Sequence, residues 1–513
     1  MKMGKKKDKN NTILSYALRF DSKFKPGLRF LSRNMTRHVN LLWHDSHLCS
    51  FLLNDNRQFV YKSLEAYKAN NYNQYFPSRV KRSMLETEGR VLRSQIDKQE
   101  LFNSLVKLSD KPKEWTFDFL KKHGLYKKRQ YINNIRRQVT GFIKNNKRLP
   151  ENYQELVPNF RIGNFITLAP DDNQFIKYNC IDKSLSGQMK TYVEEEKKWK
   201  WLPFETLIPD HVLQKTEKGK IRKPDIRMDK DGNIFLDFKV EVKHCEHVEN
   251  NRILCVDYGL NTLLTFTCFE IEDGKPVQIS RPYFFKVEGI QKKIERIYQE
   301  IDKIKTKIST SKDKRKIKVL KREQKSKWKK IKKLSKELEH LSSNIVLEFA
   351  QIFGCSVIVI EDLKGMNGKP YCKQLNKRLY RTIRARLFEK LKYKASIKGI
   401  KVKEVFAAYT SKSCPKCGKK GSHPTYGQFK CSKCAYSANR DFVATQNIAR
   451  RYLKISLNDA TQIGYKPGRV KDTVNLEGSF YRIKKWLNAW KDCIEITPIS
   501  NKQKKLKPIL KSG

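Results

Sequence analysis

The sequence is short of acids. Against 109 Lys and Arg there are only 53 Asp and Glu, a formal net charge of +56 over 513 residues. A folded domain carrying that excess alone would repel itself. A polyanion along its surface would neutralise it, and release of counterions would drive the association. Codon bias explains a preference for Lys over Arg but not the shortage of acids, so nucleic acid is the partner the composition indicates. Long apolar runs are also missing. No stretch of about 18 apolar residues is present, so no membrane-spanning helix is expected. The opening, Met1 to Asn11, is a Lys-rich run without the apolar core of a signal peptide. Paired cysteines are scarce: of twelve, only Cys414, Cys417, Cys431 and Cys434 fall in pairs. That excludes a disulfide framework and suits one metal site in a reducing compartment. The expected location is cytoplasmic and nucleoid-associated, or nuclear in a eukaryote. The 39% of hydrophobic residues suffices for real cores, and the length for three or four domains.

Residues 12–21, TILSYALRFD, alternate as a strand does. From about 27 to 147 the chain reads mostly helical, with basic and aromatic residues mixed as in Asn71–Phe76 and Tyr126–Arg137. Near 160 short strand-like runs begin (FRIGNFITLA). In DIRMDKDGNIFLDFKVEVK two alternating strands flank Asp231-Gly232, a hairpin signal. The N-terminal half is thus a β-rich domain whose first strand is separated from the rest by a helical insertion. From Arg252, ILCVDYGLNTLLTFTCF reads as two buried strands and a tight turn. Ile290, Ile294, Ile297, Ile301, Ile304 and Ile308 form a heptad-like seam, broken at Ser309–Lys314 and resumed by Ile317, Leu320, Trp328, Ile331, Leu334, Leu338 and Leu341, as in an antiparallel helical hairpin. Between Gln291 and Leu338 there are 20 Lys/Arg and 6 Asp/Glu. A merely solvated face mixes its signs, so the ridge is expected to contact phosphates. After Leu453 an amphipathic stretch (Ile483, Trp486, Trp490, Ile494) precedes a Lys-rich tail.

Two-metal hydrolysis of a phosphodiester needs hard oxygen ligands clustered about one point. Asp257 follows ILCV and precedes Tyr258-Gly259. Glu361 ends VIVI, with Asp362 beside it. Asp441, in SANRDFVATQNIARR, also suits the N-cap of the following helix. Each acid has a bland reading by itself; the three in this order, with a cysteine cluster between the second and third, form a constellation.

Cys414-Pro-Lys-Cys417-Gly and Cys431-Ser-Lys-Cys434 are two CxxC knuckles thirteen residues apart. They supply four thiolates for one tetrahedral Zn²⁺, closed and therefore structural. Gly418 and Ala435 suit tight turns around the metal. His244, Cys245 and His247 lie within four residues but have no matching pair, and read as loop residues.

VDYGL (256–260), VIEDLKGM (359–366), YTSKSCPKCG (409–418) and CSKC–NRDFVATQNIARR (431–451) resemble the TnpB transposon-associated nucleases and their relatives, the compact type V CRISPR effectors. KYKASIKGIKVKEV and LEHLSSNIVLEFA fit as well, so the resemblance covers roughly residues 250–455. It implies a multidomain α+β chain: an N-terminal wedge-like β-barrel with a helical recognition insertion, and a C-terminal RNase H-like RuvC domain with a helical hairpin and an inserted Cys₄ zinc ribbon. The implied domains are 1–26 (first wedge strand), 27–150 (recognition), 151–248 (rest of the wedge), 249–408 (RuvC, hairpin 288–345), 409–437 (zinc ribbon, target-strand loading), 438–455 (third RuvC motif) and 456–513 (extension and basic tail). It implies that Asp257, Glu361 and Asp441 hold two Mg²⁺ ions as the catalytic triad, and that the four cysteines hold Zn²⁺. The family's third motif reads Asp-x-Asn-Ala-Ala; here Val443 stands at the Asn position.

The expected function is an RNA-guided, Mg²⁺-dependent DNA endonuclease. Its cofactors are a guide RNA, two Mg²⁺ and one Zn²⁺, and its target is DNA met first as duplex and then as single strand, by a monomer or homodimer. Lys292, Lys293, Arg296, Lys321, Arg322, Lys325, Lys329, Lys330 and Arg440 are the candidate nucleic-acid contacts. A guided binder without catalysis should lack one of the three acids, and all three are present. A structure-specific nuclease that needs no RNA would have little use for so large an N-terminal half. That half is expected to read a short DNA motif beside the target, with Asn71, Asn73 and Gln74, near Tyr72 and Tyr75, of the type that bonds and stacks on bases.

Overall fold

Strict alternation makes the clearest strand of the N-terminal half. In Ile234–Lys243 the side chains of Ile234, Leu236, Phe238, Val240 and Val242 are buried and their neighbours are partly exposed, as a sheet with one covered face requires. The computed structural model describes residues 11–45, 74–159, 161–163, 165–167, 176–181, 183–217, 219–229, 231–259, 262–362, 375–425, 427–461, 463–465 and 495–498. Asn71, Tyr72, Asn73, Leu260, residues 363–366 and the amphipathic stretch at 483–494 lie outside these. Two units divide the chain, Ile13–Lys243 and Met1–Thr12 with His244–Gly513.

In the first unit the strands are β1 (Asn11–Phe20), β2 (Phe165–Thr167), β3 (Ile176–Ile181), β4 (Ser184–Val193), β5 (Lys198–Leu207), β6 (Gly219–Met228) and β7 (Ile234–Lys243). They pair in two sheets, β1-β7-β6-β2 and β3-β4-β5. The connection around Asp231-Gly232 is longer than a two-residue hairpin turn. Met228 pairs with Ile234, Asp229 Oδ1 accepts from the amides of Asp231 (2.9 Å) and Asn233 (3.0 Å), and Gly232 takes φ +82°, a conformation glycine adopts freely. Between β1 and β2 lie α1 (Lys25–Trp43), α2 (Ser78–Leu108), α3 (Phe117–Lys122), α4 (Arg129–Asn146) and α5 (Tyr153–Leu156); α6 (Asp210–Thr216) follows β5. Gly27 lets α1 approach β4, because a Cβ there would collide with Thr191 Oγ1. Phe30 stacks on Tyr192 at 3.9 Å. On the other side of α1, His38 Nδ1 lies 2.7 Å from Glu88 Oε2 of α2, both buried.

The second unit is built on β8 (Arg252–Asp257), β9 (Thr262–Glu272), β10 (Lys275–Gln278), β11 (Tyr283–Lys286), β12 (Val357–Asp362) and β13 (Lys401–Phe406). β8 and β9 are antiparallel, as are β9 with β10 and β9 with β11. β12 is parallel to β8, and β13 to β12. The order is β13-β12-β8-β9-β10. The parallel pairs require crossovers. The first runs through α7 (Glu288–Thr310) and α8 (Lys314–Ile352), the second through α9 (Leu375–Ile397). Helices cover both faces. Leu254, Val256, Leu264 and Phe266 pack with Ile290, Ile294, Leu338 and Ile345. Ile253, Cys255, Phe269, Val357 and Val359 pack on Ile448 and Ala449 of α10 (Arg440–Tyr452). That double coverage is why ILCV and VIVI are continuous apolar runs rather than alternating ones. The α7–α8 seam is buried from Ile290 to Ile304, whereas Ile308 and Ile317 near its tip are half-buried. α8 continues to Ile352, past the expected end of the hairpin at 345. A small sheet of β14 (Gly421–Ser422), β15 (Gln428–Cys431) and β16 (Ser437–Asn439) precedes α10, and β17 (Gly464–Tyr465) and β18 (Glu495–Pro498) add to the large sheet. Among the described residues no helix is long and apolar enough to cross a membrane.

Candidate active site and cysteine cluster

Asp257 is the last residue of β8, and Glu361 comes just before the end of β12. The register pairs Ile360 with Val256, so the next residue on each parallel strand is an acid, at the same edge of the sheet. Asp441 is the second residue of α10, packed over that end of the sheet. It is not the helix cap. Asn439 is, its Oδ1 accepting from the amides of Asp441 (2.9 Å) and Phe442 (3.3 Å), which leaves the Asp441 carboxylate for other work.

All three carboxylates are buried, at 8%, 6% and 8% exposure for Asp257, Glu361 and Asp441. Burial pushes the Asp257 carboxyl well above the usual range, and the charges of Glu361 and Asp441 push it further; Arg440 and the amide of Tyr258 pull the other way. Glu361 and Asp441 thus both bear on Asp257, although among the described residues only the four cysteines bring three or more ligand atoms within 4.8 Å of one another. Arg440 holds Asp441 Oδ1 through Nε (3.2 Å) and Nη2 (3.1 Å). Thr410 donates to Glu361 Oε1 at 2.5 Å. Gly259 borders the cluster: a Cβ there would lie 2.5 Å from Thr262 O and 3.6 Å from Asp441 Oδ2.

The four cysteine sulfurs lie within 4.8 Å of one another and could hold a metal ion. Cys414 and Cys434 Sγ are 3.5 Å apart, Cys417 and Cys431 Sγ 3.4 Å. Four thiolates about 2.3 Å from a tetrahedral zinc sit roughly 3.8 Å from each other, so the cluster fits that ion after a slight expansion. Burial raises the Cys414 thiol to about 12. At Cys431 burial also pushes upward, but the amides of Cys434 and Lys433 win and bring it to about 7. Gly418 and Ala435 both take left-handed backbone (φ +72° and +54°), in keeping with the tight turns read from the sequence. Val443 packs with Phe429, Cys414 and Cys431, so the position where the family motif has Asn serves the ribbon's core.

Residues that the sequence did not single out join the two sites. Asn447 Nδ2 donates to Thr410 O (2.7 Å) and Ser413 O (2.8 Å). Arg450, fully buried, donates through Nη1 to Cys414 O (3.4 Å) and Asn447 Oδ1 (3.2 Å), and through Nη2 to Ser456 O and Asp459 O (2.7 Å each). Both terminal nitrogens of this guanidinium are thus occupied, as a charge out of water requires, while its Nε is buried without a partner. The available signal was the three-residue spacing of two polar side chains on the buried face of α10.

Lys292, Lys293, Arg296, Lys321, Arg322, Lys325, Lys329 and Lys330 are exposed on α7 and α8. Arg440 is half-buried against Asp441 instead. His244 Nε2 lies 2.7 Å from Thr12 Oγ1, and His247 Nδ1 2.7 Å from Gly399 O, so the two rings have separate partners. Gln74 and Tyr75 are exposed.

An α+β chain with buried carboxylates at one sheet edge and a four-cysteine ribbon beside them is the class this unit defines. Residues 385–448 match the family model described as Cas12f1-like, TNB domain, a stretch that contains β13, all four cysteines and Asp441. The chain is 35% identical over 131 residues to a TnpB-like protein of Aquifex aeolicus (strain VF5), covering 25% of this chain and 41% of that one. It is 37% identical over 112 residues to the CRISPR-associated endodeoxyribonuclease Cas12f1 of Sulfoacidibacillus thermotolerans, covering 21% and 25%. Among solved structures it is similar to the Cas12f1–sgRNA–target DNA complex, at 13% identity and TM-score 0.39 over 86% of this chain and 99% of that one. The chain carries a Cas12f1-like TNB domain and is related to the TnpB-like proteins and Cas12f1, as its motifs led one to expect. The match spans less than half the length of either of these two relatives.

Proposed function

We propose that this chain is an RNA-guided, Mg²⁺-dependent DNA endonuclease with a single RuvC-type active site made of Asp257, Glu361 and Asp441. The observation that carries the reading is the convergence of three buried acids from the ends of two adjacent parallel strands and the start of a helix. A sheet of three antiparallel and two parallel strands in the order β13-β12-β8-β9-β10 is the layout of an RNase H-like domain, and it supports the same reading. The match to the CRISPR-associated endodeoxyribonuclease supports the substrate class.

The donor set suits hard cations: carboxylates packed so that their charges oppose each other gain from a divalent ion between them. Two Mg²⁺, when bound, activate a water and stabilise the leaving oxygen. The chain's own part is to hold the acids. β8 and β12 fix Asp257 and Glu361 side by side, Asn439 caps α10 so that Asp441 is not needed as the cap, Thr410 orients Glu361, and Arg440 offsets part of the negative charge. We assign Zn²⁺ to the four cysteines as a structural ion. The wedge-like barrel, the recognition insertion of 27–150 and the reading of a flanking motif by residues 1–245 belong to this proposal, as does phosphate contact by the α7–α8 ridge.

The test is to purify the full chain, sequence the RNA that accompanies it, and present duplex DNA complementary to that RNA with Mg²⁺ or with EDTA. Cleavage confined to complementary DNA, with Mg²⁺, is expected. Cleavage indifferent to the RNA, or none with any divalent ion, would overturn the reading.

A further inference from the structure

Under α10 the large sheet presents an apolar floor that turns polar at one end. Ile253 and Cys255 of β8, Phe269 of β9, and Val357 and Val359 of β12 pack there on Ile448 and Ala449. Side chains alternate between the faces of a strand. The same side of β8 therefore carries Asp257, that of β12 carries Glu361, and that of β9 carries Thr267 and Thr265. Leu264 and Phe266 go the other way, to Ile290 and Leu338. Thr265 is paired directly with Asp257, and β8 lies between β12 and β9. Glu361, Asp257 and Thr265 thus form one row across three strands.

α10 runs along β9 in the same direction. Ile448 and Ala449 pack on Phe269, and Thr445 Oγ1 is 3.0 Å from Thr267 Oγ1. Four helical residues advance about 6 Å and two strand residues about 6.7 Å, so the next step back brings Asp441 over Thr265. Thr265 is 1% exposed, and its Oγ1 is buried without a hydrogen-bond partner. Thr267, next on the same face, differs. Thr445 gives its proton to Phe442 O (2.8 Å), so Thr267 donates to Thr445.

An unpaired hydroxyl in a dry interior costs free energy that valine, of the same shape, would avoid. Packing alone therefore does not account for Thr265. The hydroxyl can donate one hydrogen bond and accept two, and it stands beside acids that suit a hard cation. Such an ion keeps several of its waters when carboxylates bind it, and those waters need partners. A neutral hydroxyl supplies one without adding to the repulsion among the acids.

We propose that Thr265 is a positioning residue of this site, its hydroxyl hydrogen-bonding a water carried by a divalent ion at the carboxylates, on the β9 side. The inference rests on the reading of these acids as a divalent-ion site; it needs neither the RNA guide nor DNA as the substrate.

The probe is Mn²⁺, which takes the same oxygen ligands as Mg²⁺. It is titrated into the full chain with its accompanying RNA and followed by electron paramagnetic resonance, with Asp257→Ala as the background for ions bound elsewhere. Thr265→Val should weaken the Asp257-dependent Mn²⁺ about tenfold, the low end of what losing a partner of the metal's own ligands costs. Thr265→Ser should restore it. The metal-free Tm separates this role from packing: with an unpaired hydroxyl removed, Thr265→Val should melt no lower than wild type while it binds Mn²⁺ more weakly. Should Thr265→Val not fold, Thr265→Ala takes its place in the titration. Wild-type affinity in Thr265→Val, equal losses in the Val and Ser variants, or a lower metal-free Tm in Thr265→Val would overturn the proposal. If Thr265→Val weakens Mn²⁺ and the wild type cleaves no DNA, the nuclease reading fails and the positioning role stands. If the wild type cleaves complementary DNA and Thr265→Val binds Mn²⁺ as wild type does, the reverse holds. No Asp257-dependent Mn²⁺ in the wild type would overturn both.

Discussion

Thr410 donates its hydroxyl to Oε1 of Glu361 at 2.5 Å, with both side chains buried. A hydrogen bond to a buried carboxylate contributes about 1.5–3 kcal/mol, and the penalty falls on the acceptor left behind. Thr410→Val keeps the shape and removes the donor. Guided cleavage by that variant should slow about 10- to 100-fold, with Thr410→Ser close to wild type. Single-turnover rates would measure this; equal rates for Val and Ser would mean that Glu361 is held some other way.

Removing any one acid should be more severe. Asp257→Ala, Glu361→Ala and Asp441→Ala should each abolish cleavage and leave guided DNA binding intact, because the acids are assigned to metal rather than to nucleic acid. A variant that still cleaves near the wild-type rate in Mg²⁺ removes its residue from the triad.

The raised Asp257 carboxyl has a signed consequence. Its folded-state value lies above the ordinary 3.8, so the metal-free fold gains most from this group at low pH and loses that gain as pH rises through the raised value. Metal-free Tm should therefore fall less steeply with rising pH in Asp257→Asn than in wild type. Metal binding needs the deprotonated form, so cleavage should fail on the acid side of the same range. Identical Tm profiles for the two proteins would contradict the placement of the three charges.

One Zn²⁺ per chain is expected, and Cys431→Ser should lose or greatly weaken it by elemental analysis. Acid should release the metal as the thiolates protonate. Full occupancy in the variant would show that the ion is elsewhere.

Neutralising Lys321, Arg322, Lys325, Lys329 and Lys330 to Gln should weaken binding evenly across target sequences and flatten its salt dependence. The log–log slope should drop by about 0.9 for each duplex phosphate that is no longer neutralised. An unchanged slope in a folded variant would place the nucleic acid away from α7 and α8.

What the sequence made legible is local. ILCV and VIVI read as buried strands because helices cover both faces of the sheet, and the acids come where those runs stop. The heptad seam gave α7 and α8, and the knuckle spacing gave the cysteine cluster. What escaped depends on distance along the chain. Thr410 reaches Glu361 across 49 positions and Asn447 reaches Thr410 across 37, and no periodicity encodes such pairs. Asp441 was open to a capping role because Asn439-Arg440-Asp441 offers two capping side chains two residues apart; only the backbone shows that Asn439 takes the role. α6, at seven residues, is too short for a helical period to stand out among strands.

Arg450 and Asn447 set the limits within which this ribbon can be exchanged. A graft cut at 409 and 437, the boundaries the motif suggests, would remove Thr410, Ser413 and Cys414 as hydrogen-bond acceptors and strand a guanidinium in a dry interior. The transplantable piece is larger: it begins before Phe406, includes the whole of α10, and ends after Asp459. In this chain the cysteine cluster and the helix that carries Asp441 are therefore one packed part, tied through Asn447 and Arg450.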